Sequence, residues 1–204
     1  MAEFSMEEGE YLVRLARKSI EHYMERRSIL EVDPHYSKLK SPYGAFVTLN
    51  IYPEGNLRGC IGYPEPILPL YRAVIRAAIA AAFEDPRFPP LAKEELDRVT
   101  VEVSILTPPE RIDDKVESRL DLRRLVIVGK HGLIVRRGLY SGLLLPQVAV
   151  EYSWDSEEFL SQTCIKAGMW VDCWLKKGTE VYRFTAEIFE EEEPRGRIIR
   201  REIG

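Results

Sequence analysis

Asparagine is nearly missing from this sequence: Asn50 and Asn56 are the only two in 204 residues. With 30% of the chain charged, that scarcity fits a thermophilic source. Cysteine and histidine are also scarce, at three each. Cys60, Cys164 and Cys173 form no CxxC pair and match no metal-ligand spacing, so neither a structural zinc site nor a secreted disulfide scaffold is expected. No apolar run reaches membrane-spanning length, and the acidic start "MAEFSMEEGEYLV" lacks the basic-then-apolar order of a signal peptide. The expectation is a soluble, cytoplasmic protein with no membrane partner. A net charge of −4, from 29 basic and 33 acidic residues, disfavours a nonspecific nucleic-acid coat. The length suffices for a proper apolar core without staples.

Residues 7–26 place Leu12, Leu15, Ala16, Ile20, Tyr23 and Met24 at helical steps among charges, an amphipathic helix with His22 on its polar flank. "AFVTLNIY" reads as a strand, and a turn through residues 53–56 returns the chain through "LRGCIGY" as a hairpin. The alanine-rich run 67–83 predicts a helix, followed by a proline-rich loop, "EDPRFPPL". "VTVEVSILTPP" alternates as a half-buried strand. Short strands punctuated by glycines are expected over 120–145, then a short helix from Pro146 and a second from a capping box at Asp155 and Glu158 to a stop at Gly168. "GTEVYRFTAEIFEE" reads as the last strand. Helices and strands mix without βαβ alternation, which predicts an α+β fold with a largely antiparallel sheet flanked by helices.

The blocks "GAFVTL", "LRGCIGY", "AAFEDPRFPPL", "VEVSILTPP", "GKHGLIV", "SGLLLPQVA" and "CIKAGM" occur in the order and spacing of the AMMECR domain family (AMMECR-one), which the chain resembles over nearly its whole length. The six-residue LRGCIG block is the most specific of them. The resemblance implies one AMMECR-type domain over 1–204, with a larger and a smaller subdomain and the LRGCIG block near a cleft between them. It also implies a pathway shared with Memo-like and radical-SAM proteins. It names no reaction and no cofactor, and leaves enzymatic, nucleotide-binding and nucleic-acid roles open.

If residues 57–61 form a regular strand, Arg58 and Cys60 project to one face, and a guanidinium beside a thiol favours the nucleophilic thiolate. A four-residue turn would instead put Cys60 on the face of Val47, Leu49 and Ile51, as a small core side chain. Both readings stand. Gly59 and Gly62 allow backbone N–H groups to approach an anion, or serve close packing. His131 is the candidate base for Cys60, with a solvated turn residue as the plainer reading, and Gln147 is a candidate for binding a ligand in the same cleft. Asp85, Glu102 and Glu151 read as a cap, a solvated face or ion pairs. Cys164 and Cys173 read as core residues. Trp154, Trp170 and Trp174 can stack a base but are first core or interface residues. The terminal "RGRIIRR" can grip phosphate, with charge balance against Glu190 to Glu193 or pairing with another subunit as the plainer readings.

The functional expectation is an enzyme or metabolite-binding protein with a cleft site at Arg58, Gly59, Cys60 and Gly62, with His131 and Gln147 opposite. Thiol-dependent group transfer or hydrolysis is its specific form. The alternatives are a non-catalytic module acting with a Memo-like partner, and nucleotide or nucleic-acid binding.

Overall fold

The computed structural model describes residues 4–202. The described chain divides into two compact units: residues 4–106 with 187–201, and residues 107–186 with Glu202. Both are α+β, with antiparallel strands and flanking helices.

In the first and larger unit, α1 (Met6–Arg26) starts at Ser5, whose side chain accepts from the Glu8 N–H while the Glu8 carboxylate accepts from the Ser5 N–H. This reciprocal cap satisfies two donors that the first helical turn leaves unpaired. α2 (Leu70–Phe83) follows the alanine stripe and begins three residues later than the sequence suggests, at Leu70 after Pro69. Both helices pack on one face of a sheet built from β1 (Gly44–Ile51), β2 (Asn56–Tyr63) and β3 (Val99–Leu106), with β1 in the middle. Ala45, Val47 and Leu49 of β1 and Val99, Val101, Val103 and Ile105 of β3 point at the helices and are buried. The period of two leaves Phe46, Thr48, Thr100, Glu102 and Ser104 on the other face.

Arg17 of α1 and Glu191 form a buried ion pair, with Nε to Oε1 at 2.7 Å and Nη2 to Oε2 at 2.5 Å. The guanidinium also donates to the Leu96 and Val99 carbonyls, and Glu191 accepts the Val101 N–H. The pair is thus fully hydrogen bonded, as a buried charge requires.

The second unit contains β4 (Glu110–Arg111), α3 (Leu122–Leu125), β5 (His131–Arg137), β6 (Tyr140–Leu144), α4 (Pro146–Glu151) and α5 (Ser156–Lys166). Asp155 caps α5 by accepting the Glu158 N–H, and Gly168 ends that region at φ +73°, both as the sequence suggests. Residues 122–125 are helical where a short strand was expected. The core gathers Ile112, Leu133, Val135, Phe159, Leu160 and Trp174.

β7 (Glu180–Glu191) contributes to both units. Residues 180–185 pair with β5, and residues 188–191 pair with β8 (Ile198–Arg201), a strand the sequence reading left out of the basic tail. The tail arginines meet carboxylates: Arg195 pairs with Glu21 and Asp97, Arg200 with Glu187, and Arg201 with Glu102. Among the described residues no helix is long and apolar enough to cross a membrane.

Candidate functional site

The direction of Cys60 is decided by one residue. β1 and β2 are joined by a four-residue loop, Tyr52 to Gly55, so Ile51 faces Asn56 and Asn50 faces Leu57. Continued without a break, that register would put Cys60 opposite Val47, on the helix-packed face. Between Leu49 and Asn50 the register shifts, and Arg58 is the inserted residue, so Gly59 faces Leu49 and Cys60 faces Thr48. The bulge turns the thiol to the face away from the helices.

The same bulge corrects the expected Arg58 and Cys60 pair. Arg58 is buried, and its Nε and Nη2 donate to the two Glu95 oxygens at 2.7 and 2.9 Å, with a further bond to the Pro89 carbonyl. This arginine anchors the loop after α2, and its partnership holds the Glu95 carboxyl below the usual range.

Arg87 takes the place beside Cys60 that was expected of Arg58. β2 is an edge strand, and the Cys60 N–H donates to Asp85 Oδ2 at 2.9 Å while its carbonyl accepts from Arg87 Nη2 at 3.2 Å. Asp85 and Arg87 are themselves joined by bonds of 2.7 and 2.9 Å. Arg87 keeps the Asp85 carboxyl far below the ordinary carboxylate range. The "EDPRF" loop therefore fixes the backbone of the thiol.

Both glycines of the block serve packing. A Cβ on Gly59 would lie 2.1 Å from the Ala81 carbonyl of α2, and one on Gly62 would lie 2.2 Å from the Phe46 ring. Close approach of helix to strand and of ring to backbone accounts for them, the packing reading of the two glycines.

Across the face run Cys60, Thr48 and Glu102, one on each of three neighbouring strands. Thr48 Oγ1 donates to Cys60 Sγ at 3.3 Å. Burial pushes the thiol above its ordinary value, and the nearby Glu102 adds to this, while the Thr48 bond and Arg87 pull the other way. Glu102 is 4% exposed, which excludes the solvated face among its expected readings and leaves the ion pair, made with Arg201. Burial raises its carboxyl to about 7, although Arg201 at 3.1 Å and Ser104 at 3.3 Å each favour the charged form. A carboxyl that exchanges its proton near neutrality lies in one row with a half-buried thiol. Sequence reading missed Thr48, Ser104, Arg87 and Arg201. The polar positions alternating through "VTVEVSIL" were the available signal for the face.

His131 and Gln147 belong to the second unit. The His131 ring is buried, its Nδ1 accepts the Ile127 N–H at 3.0 Å, and burial lowers its basicity. It closes its own turn. Gln147 is half-buried at the start of α4, and its Oε1 has no hydrogen-bond partner among the described residues. Cys164 and Cys173 are in the core as expected, but joined in a disulfide. The described residues contain no group of three or more His, Cys, Asp or Glu placed to hold a metal ion.

An α+β chain of two units, carrying a glycine-flanked thiol on a clamped edge strand, is the class that fold and site define. Residues 13–189 match AMMECR1, and the chain belongs to that family. A protein of Thermococcus gammatolerans is 58% identical over 199 residues, covering 96% of each chain. One from Methanocaldococcus jannaschii is 50% identical, covering 98% of each. The crystal structure of an uncharacterized protein from Pyrococcus horikoshii is similar with a TM-score of 0.89 at 55% identity, covering 95% of this chain and 96% of that one. These relatives come from thermophilic archaea, in keeping with the scarcity of asparagine.

Proposed function

We propose that the face bearing Cys60, Thr48 and Glu102 is a reaction site for thiol-dependent group transfer or hydrolysis of a small substrate. The observation that carries this reading is the transverse row itself, a thiol, a hydroxyl and a buried carboxyl on successive strands of one sheet face. Neighbouring strands are about 4.8 Å apart, so Thr48 stands one strand spacing from each of the other two, with its hydroxyl already on the thiol. Cys60 rests as the neutral thiol. When an electrophilic carbon arrives, Sγ bonds to it and the bond to the leaving group breaks, while the Thr48 hydroxyl turns from its donation to Sγ, accepts the thiol proton and gives its own to Glu102 as general base. Arg87 and Asp85 hold the Cys60 backbone while this happens.

The test uses p-nitrophenyl acetate. The expected result is a burst of one nitrophenolate per chain, absent in Cys60→Ser and slowed about 10²-fold or more in Glu102→Gln. A burst that survives Cys60→Ser would sink the proposal.

Within this reading the protein works in the cytoplasm of a thermophile, where a structural disulfide is tolerated. A second reading, docking of a Memo-like or radical-SAM partner by the same face without chemistry, draws support from the raised thiol. Under it the burst is absent in the wild type, and capture of the partner survives Cys60→Ser.

A further inference from the structure

The second unit has a concavity of about 620 Å³, between the β5–β6 turn and the segment that follows α5. That is a size suited to a small organic ligand. One wall is Arg137, Leu139 and Tyr140, the other Met169, Trp170 and Lys176. Trp170 is 85% exposed, whereas Trp174, four residues on, is buried with its indole N–H donating to Ser161. Leu139 also stands in solvent at the tip of the turn.

The loop that carries Trp170 is held from several sides. The Cys164–Cys173 disulfide closes it. The Met169 N–H donates to the Cys164 carbonyl at 3.0 Å, and the Cys173 N–H to the Trp170 carbonyl at 2.9 Å. An exposed indole on a backbone fixed in this way is a preorganised stacking surface. Polar groups at the rim set the charge. Lys176 is paired with Asp172 at 2.7 Å. Arg137 donates to Thr179 at 3.5 Å, the outer limit of a hydrogen bond, which leaves its planar fork available for an anion.

We propose that this concavity is a ligand site for a planar aromatic anion, with Trp170 stacking on the ring and Arg137 binding the negative group. The site lies wholly in the second unit and stands independently of any chemistry at Cys60.

The experiment is a calorimetric titration of the full chain with 1-naphthoate and with 1-naphthamide, its uncharged counterpart. Naphthoate should saturate one site, with the amide at least about fivefold weaker. Trp170→Ala should weaken naphthoate about tenfold or more, the scale of one aromatic stack. Arg137→Gln should bring acid and amide to the same affinity while leaving the amide unchanged. Both side chains are exposed, so neither variant threatens the fold. Equal binding of acid and amide by the wild type, undiminished binding by Trp170→Ala, or no saturation by naphthoate would each overturn the assignment.

Discussion

Each unit buries a titratable group that its surroundings keep neutral, and the two differ in what their polar atoms meet. Glu102 in the first unit keeps its proton up to about pH 7 on a sheet face shared with a thiol and with the hydroxyls of Thr48 and Ser104 among others. His131 in the second unit is held neutral by burial, but its Nδ1 is engaged by the N–H of its own turn. Burial alone therefore marks no site. A buried acid with reactive neighbours is equipped for chemistry, while a buried base closed on its own backbone is a fastener. The sulfur atoms divide the same way, with a single half-buried thiol in the first unit and a closed pair in the core of the second.

The strongest contrast with Glu102 lies in its own unit. Glu191 is equally buried but fully paired with Arg17, so Glu191→Ala should strand the guanidinium and destabilise the chain by about 3–5 kcal/mol, measured by urea unfolding. Glu102→Gln should do the reverse, and only at high pH. In the unfolded chain Glu102 ionises near 4.5, while in the folded chain it ionises near 7. The stability that this carboxyl contributes is therefore present below about pH 4.5 and lost as pH rises through about 7. At pH 8 the variant should be up to about 3 kcal/mol more stable than the wild type, with little difference at pH 4. Equal stabilities at pH 8 would remove Glu102 from the role of proton acceptor.

Reducing the disulfide sharpens the division of sulfur. The bonded cysteines are nine residues apart, and opening so short a loop should cost about 2–3 kcal/mol. Amide exchange should quicken around α5 and Trp174 and stay unchanged around β2. The smallest effect belongs to His131. Its folded basicity is depressed below the ordinary 6.5, so its contribution is present above that value and lost as pH falls through the lower folded one. Protection factors in the second unit, with the intrinsic pH dependence of exchange divided out, should fall on mild acidification, with a slope opposite in sign to that of Glu102, and His131→Asn should flatten it.

Much of the frame was legible in the order of residues. The alanine stripe of α2, the cap at Asp155 and the alternation of β3 are local patterns, and local patterns determine local structure. The Arg58 bulge was not legible, because an inserted residue is stabilised by what it reaches, here Glu95 and Pro89, more than thirty residues away. Three consequences were hidden with it: the direction of Cys60, the replacement of Arg58 by Arg87 beside it, and the neighbourhood of Thr48. Glu102 was visible as a polar strand position, but the pattern could not say that its carboxyl would be buried. The Cys164–Cys173 bond carried no spacing signal at all. The order of elements is readable from short-range pattern, while the chemistry of the site depends on long-range contacts.

Asp85 and Arg87 occupy the N–H and the carbonyl that Cys60 presents at the open margin of the sheet. Unpaired backbone at such a margin is a template on which another chain can add a strand. The two side chains therefore work as insulation, terminating hydrogen bonding at the most distinctive block of the sequence. A molecule stripped of them would expose this margin to strand addition by a second copy of the chain.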